Sequence, residues 1–327
     1  MALSTPAAAL AAFLAMVQPP SGAPIATGVV AQPPPPAAPG TPLPDAAITP
    51  DDDSSTAVPI RNADQRMTVK VMVNGAGPFR FIVDSGATRT VVSRRLATLL
   101  GLPSAGTVTL HSVGGESKVE SVKIEALSLS NLPAQTVVAP VLTEADLGAL
   151  GILGIDVLAN KRVVIDLRTN RMTVESAGHG RPAAEPGEIV VMARRRYGQL
   201  VLADADAVGT RIYAVIDTGS SVTLGNIVLR DRLVRRKRAQ ALPVDIIDVA
   251  GHVIQGHYAQ IGDIRLGTTH IQESTIAFSD AHAFERFGLD KKPSMLVGMD
   301  LLRCFERVSI DFKNKTVSLV ASSQTIG

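Results

Sequence analysis

The sequence predicts a mainly β chain built as two copies of one lobe, and three observations carry that prediction. Short runs rich in Val, Ile and Thr are separated by Gly, Asn and Pro turns at close spacing, with few stretches of helical period. FIVDSGATRTVVS (residues 81–93) recurs as AVIDTGSSVTLGN (214–226) with the same order of residue roles. The copies then stay in step: GILGIDVL (151–158) answers MLVGMDLL (295–302), and VVIDLRTNRMTV (163–174) answers VSIDFKNKTVSL (308–319).

These landmarks divide the chain. Residues 1–63 form a tail, 64–176 the first lobe, 177–187 a Gly- and Pro-rich linker, and 188–322 the second lobe. In the tail, AAALAAFLAMV (7–17) is too short to span a bilayer but has the length of a secretory signal core. The Pro/Ala/Asp-rich stretch that follows cannot bury enough surface to fold. The expectation is export to the periplasm or outside on a flexible tether. A disordered cytoplasmic tail is the alternative.

Within the first lobe, MTVKVMVNG and PFRFIVDSG read as a hairpin turned at Asn74-Gly75. SRRLATLLGL (93–102) reads as a short helix. TVTLHSV and ESKVESVKIEALSL form a second hairpin with Gly114-Gly115 at its tip. In the second lobe LRDRLVRRKR (229–238) is the matching helix, and PVDIIDVAGHVIQGHY turns near Ala250-Gly251. SDAHAFERFGLDKKP (279–293) adds a short helix and loop.

Composition excludes several classes. A net charge of +2, no Trp and 3% aromatic residues leave no basic, aromatic-rich surface for nucleic acid. The basic runs at 194–196 and 235–238 read as solvated. The single cysteine, Cys304, allows no intrachain disulfide and reads as a small packed hydrophobe. The six histidines do not cluster along the chain, His252 and His257 coming closest, so no metal site and no cofactor are expected.

The chemistry lies in the repeated D-[ST]-G. Asp84 and Asp217 each end an apolar run, where a lone ionised carboxylate is costly to bury. Placed about 3 Å apart, two carboxylates cannot both ionise, so one keeps a proton while its neighbour is charged. One pair of identical side chains then supplies both a general base for water and a general acid for a leaving nitrogen. Gly86 and Gly219 let backbone N–H groups turn toward the carboxylates with no Cβ in the way. Asp156, Asp300, Asp166 and Asp311 also recur in both copies and read as structural.

On these residues the sequence resembles the aspartic peptidases, in particular the retropepsin-like bacterial branch with both lobes fused in one chain. The matching residues are Asp84-Ser85-Gly86-Ala87-Thr88 and Asp217-Thr218-Gly219-Ser220-Ser221, each followed by its glycine element, Ile152-Leu153-Gly154 and Leu296-Val297-Gly298. The resemblance implies the bilobal acid-protease fold, with two homologous β-barrel-like lobes and a short helix in each. It implies that Asp84 and Asp217 are catalytic and that Ser85 and Thr218 lock the two loops together. It further implies that Thr88 and Ser221 bond the outer carboxylate oxygens, and that Gly154 and Gly298 let a strand cross close beneath each loop. Gly114-Gly115 and Ala250-Gly251 correspond to flap tips over the substrate. There is one departure: no Tyr precedes Tyr197, so the flap tyrosine of pepsin-like enzymes has no match.

The expected function is an aspartic endopeptidase, monomeric, acting on protein or peptide substrates with no metal, cofactor, nucleic acid or stable membrane span. A non-catalytic peptide-binding or inhibitory protein on the same fold is the alternative. After each Asp-x-Gly the first copy has Ala87 and the second Ser220, and a hydroxyl at that position is expected to donate toward the pair and lower the pKa of the shared proton. With such a donor on one side only, the expected optimum is weakly acidic, roughly pH 4.5–6.5.

Overall fold

Asn74 and Gly75 both have positive φ, 50° and 80°, which a two-residue hairpin turn requires. They join Thr68–Val73 to Ala76–Val83, the strand that ends at Asp84. In the computed structural model, the residues described are 67–129, 132–178, 188–196, 199–202, 204–235 and 241–321. Three short strands precede them, Ala9–Leu10, Met16–Gln18 and Ala57–Pro59. The expected signal and tether therefore lie almost wholly outside the described residues, as does most of the 177–187 linker.

The fold is mainly β, with two sheets and short helices. In the first sheet Ser104–His111, Glu116–Ser128, Thr68–Val73, Ala76–Val83, Gly151–Leu153, Val91–Ser93 and Gln135–Leu142 follow one another. Glu116–Ser128 also pairs with Gln135–Leu142, which closes the sheet on itself as a barrel. The second lobe repeats the centre of this arrangement. Gly151–Leu153 lies parallel to Phe81–Val83 and antiparallel to Val91–Val92. Ser294–Val297 likewise lies parallel to Tyr213–Ile216 and antiparallel to Leu224–Gly225.

The two lobes share a sheet. The first lobe's last hairpin, Lys161–Asp166 with Arg171–Ser176, pairs through Lys161–Asp166 with the second lobe's Phe305–Asp311. That strand pairs with Thr316–Ala321, and Thr316–Ala321 with Glu188–Arg196. One apolar cluster runs through both lobes, with Phe81, Val83 and Leu153 on one side and Phe278, Val297 and Ile310 on the other.

The helices Arg94–Leu99 and Ile227–Arg235 fall where helical period is seen, and Ser93 caps the first by accepting from Leu96 N–H. His282–Arg286 is the short helix after Ser279. Three one-turn helices carry no sequence period: Glu144–Leu147, Ile155–Leu158 and Met299–Leu302. Four residues are too few to show one. No helix among the described residues is long and apolar enough to cross a membrane.

Candidate active site

Asp84 and Asp217 each stand at the end of a strand that the following chain crosses. Asp84 N–H donates to Leu153 O at 3.0 Å, and Asp217 N–H to Val297 O at 2.9 Å. Each carboxylate then folds its own loop around itself. Asp84 Oδ1 accepts from Gly86 N (2.6 Å) and Ala87 N (2.9 Å); Asp217 Oδ1 accepts from Gly219 N (3.1 Å) and Ser220 N (3.2 Å). The second oxygens, Asp84 Oδ2 and Asp217 Oδ2, are both buried, and both side chains are 0% exposed.

The carboxylates face each other across the two loops. A Cβ on Gly86 would fall 2.7 Å from Asp217 Oδ1, and one on Gly219 would fall 2.2 Å from Asp84 Cγ. Each glycine is thus the floor on which the opposite carboxylate rests. Burial, the charge of Asp84 and a hydrogen bond to its side chain push Asp217 well above the usual carboxylate range. Chemically, such a pair retains one proton between two acids.

Ser85 and Thr218 tie the loops together. Ser85 Oγ donates to Ile216 O (2.8 Å) and Thr218 Oγ1 to Val83 O (2.8 Å), while each hydroxyl oxygen accepts the other residue's N–H. Gly154 and Gly298 have extended backbone, so space rather than φ demands glycine there. A Cβ would lie 2.4 Å from Arg89 C or 2.5 Å from Val222 C. Thr88 and Ser221 sit half-buried on the same loops.

Thr90 and Thr223 add a support that the motif reading missed. Each hydroxyl accepts the N–H of the crossing glycine, Gly154 (3.1 Å) or Gly298 (3.0 Å). Each donates to a carboxylate, Asp156 (2.8 Å) or Asp300 (2.5 Å), which also takes the threonine N–H. Both threonines stand six residues after their aspartate, a repeated offset visible in the sequence. Burial pushes Asp156 and Asp300 up, against these hydrogen bonds. Asp166 and Asp311 cap turns, accepting from Thr169 N and Asn314 N at 2.7 Å each.

A family model described as Aspartyl protease matches residues 69–157 and 203–301. The chain belongs to the aspartyl protease family. Each matched segment contains one D-[ST]-G and its later glycine, as tandem lobes require. No curated protein matches the chain.

Two expectations from the sequence do not hold in the structure. Ser220 does not point its hydroxyl at the carboxylates. Its Oγ donates to Val222 O at 2.7 Å and accepts Val222 N–H at 3.3 Å, so the hydroxyl serves its own loop. The histidines, dispersed along the chain, do meet in space. His111 and His282 stack with Nδ1 and Nε2 3.1 Å apart, beside Glu116.

The two hairpin tips meet one another. Gly114 N–H donates to Asp248 Oδ2 at 2.8 Å, and Asp248 Oδ1 holds its own turn through Ala250 N and His252 N. His252 bridges Ser112 Oγ (3.3 Å) and Ser117 Oγ (3.2 Å). Gly115, with φ 147°, completes one tip and Gly251, with φ 80°, the other. Val113 from the first lobe packs among Val215, Leu224 and Phe284 of the second. Val249 of the second lobe packs reciprocally among Ile82, Ala87 and Ile152 of the first. Both valines are buried. Ala250 is half-buried beside Val249.

Proposed function

We propose that the chain is an aspartic endopeptidase in which Asp84 and Asp217 share one proton, activate a water molecule and protonate the leaving nitrogen. The observation that carries this reading is the mutual packing of the two loops, each glycine under the opposite carboxylate. That geometry holds two acids close enough for one to stay neutral while the other accepts a proton from water. Ser85, Gly86, Thr88, Thr218, Gly219 and Ser221 support the pair. Gly114, Gly115, Ala250 and Gly251 form flaps that must part to admit an extended peptide and then close on it. The site belongs to one chain in this reading, supported by the hydroxyl exchange between Ser85 and Thr218.

Incubation of the purified protein with unfolded casein tests the proposal. Cleavage that a pepstatin-type inhibitor blocks is expected between about pH 3 and pH 8. A folded protein that binds the inhibitor but cuts nothing across that range is instead a peptide-binding member of the family. Export and tethering through residues 1–63 belong to the same proposal, and mass spectrometry of the mature N-terminus checks them.

A further inference from the structure

We propose that His111, Glu116 and His282 form a divalent transition-metal site, of the kind zinc occupies, that clamps the first lobe's flap hairpin onto the second lobe. His111 Nδ1 lies 3.1 Å from His282 Nε2 and 3.1 Å from Glu116 Oε1, and the last two are 3.9 Å apart. With bonds near 2.0–2.1 Å, two ligands of a tetrahedral ion sit about 3.3 Å apart. The same three atoms form all three edges, so one ion is within reach of them together.

The surroundings suit an ion as well as the distances do. His111 and Glu116 are directly opposite residues of the hairpin Ser104–His111 and Glu116–Ser128, an arrangement that fixes two ligands before any metal arrives. His282 comes from the second lobe and is held against the same hairpin tip, its own N–H donating to Val113 O at 2.9 Å. The other nitrogen of His282 faces Glu285 Oε2 at 3.4 Å. A carboxylate behind the remote nitrogen of a metal-binding histidine orients the ring and raises its basicity. His111 is buried while Glu116 is largely exposed, which leaves a fourth position open to solvent. Arg286 opposes a cation at His111 and Glu116 favours one, while Glu285 faces His282. Two imidazoles and one carboxylate favour zinc and its neighbours over magnesium or calcium.

The consequence is mechanical. The flap hairpin supplies two ligands and the second lobe the third, so bound metal ties down the hairpin tip that carries Val113. The test is zinc titration of chelator-treated protein in competition with a chromophoric chelator, with hydrogen exchange followed at residues 111–116. One zinc per chain and slower exchange in that hairpin are expected. His111→Ala and His282→Ala each weaken binding by at least about tenfold, since losing a ligand costs no less than losing its supporting partner. Glu116 is exposed, so Glu116→Gln weakens binding without risk to the fold. Equal affinity in the parent and all three variants overturns the site and leaves a hydrogen-bonded histidine pair. Zinc bound at these residues with unchanged exchange overturns the clamp.

Discussion

Ser85 and Thr218 hold each other by reciprocal hydrogen bonds across the lobe boundary, Ser85 N to Thr218 Oγ1 at 3.0 Å and Thr218 N to Ser85 Oγ at 3.1 Å. Each hydroxyl also donates to a backbone carbonyl of the facing strand. Thr218→Val keeps the shape and removes both bonds of one hydroxyl, leaving Ser85 N–H and Val83 O buried without that partner. A loss of about 2–4 kcal/mol is expected in urea unfolding, since each stranded group costs about 1–3 kcal/mol. A loss below about 0.5 kcal/mol would show that the lobes do not depend on this exchange.

In the proposed reaction, Asp84→Asn and Asp217→Asn each remove one of the two carboxylates that share a proton. Peptidase activity is expected to fall by at least about a hundredfold in each, the low end of what a general acid or base contributes. Mixing the two variants restores nothing if each site is built within one chain, as the pairing of Lys161–Asp166 with Phe305–Asp311 favours. Recovery on mixing would place the site between chains.

The same substitution has a separate effect on stability. The folded-state pKa of Asp217 is raised, so the folded protein holds a proton that the unfolded chain releases. The sign follows: stability from this group is complete below the ordinary carboxylate value of about 4 and is lost as pH rises through the folded pKa. Asp217→Asn removes that loss. Its melting temperature is expected above the parent's at pH 7 and equal to it near pH 3, by calorimetry at both values.

Gly154→Ala and Gly298→Ala drive a methyl group into backbone, with no flexible neighbour to give way. Each is expected to cost about 3 kcal/mol or more, the upper range of overpacking. Gly262→Ala, with open space around the new Cβ, is the control and remains near the parent in denaturant midpoint.

Ser220 commits its hydroxyl to Val222 O, so Ser220→Ala is expected to leave the basic limb of the pH–rate profile in place. Ala87→Ser, at the matching position of the other loop, is expected to leave it in place too. Fewer hydrogen bonds to the charged form mean a higher pKa, so a hydroxyl that did reach the pair would lower the limb. An upward shift in Ser220→Ala, or a downward one in Ala87→Ser, contradicts the loop geometry.

The repeated apolar-Asp-[Ser/Thr]-Gly pattern, the later glycines and the Asn74-Gly75 turn were legible because they are local. Period-2 alternation, turn residues and a recurring motif are written in neighbouring positions; they determined a mainly β aspartyl protease with tandem lobes and singled out Asp84 and Asp217 as its candidate pair. Tertiary structure alone decided the direction of the Ser220 hydroxyl, because a side chain with two local partners chooses by the space around it. It alone brought His111 to His282, since strand pairing and lobe packing join positions that no spacing rule connects. It also seated Val113 and Val249 in opposite lobes. An apolar residue at a hairpin tip is bound to seek burial, but the sequence does not say under which lobe it will find it.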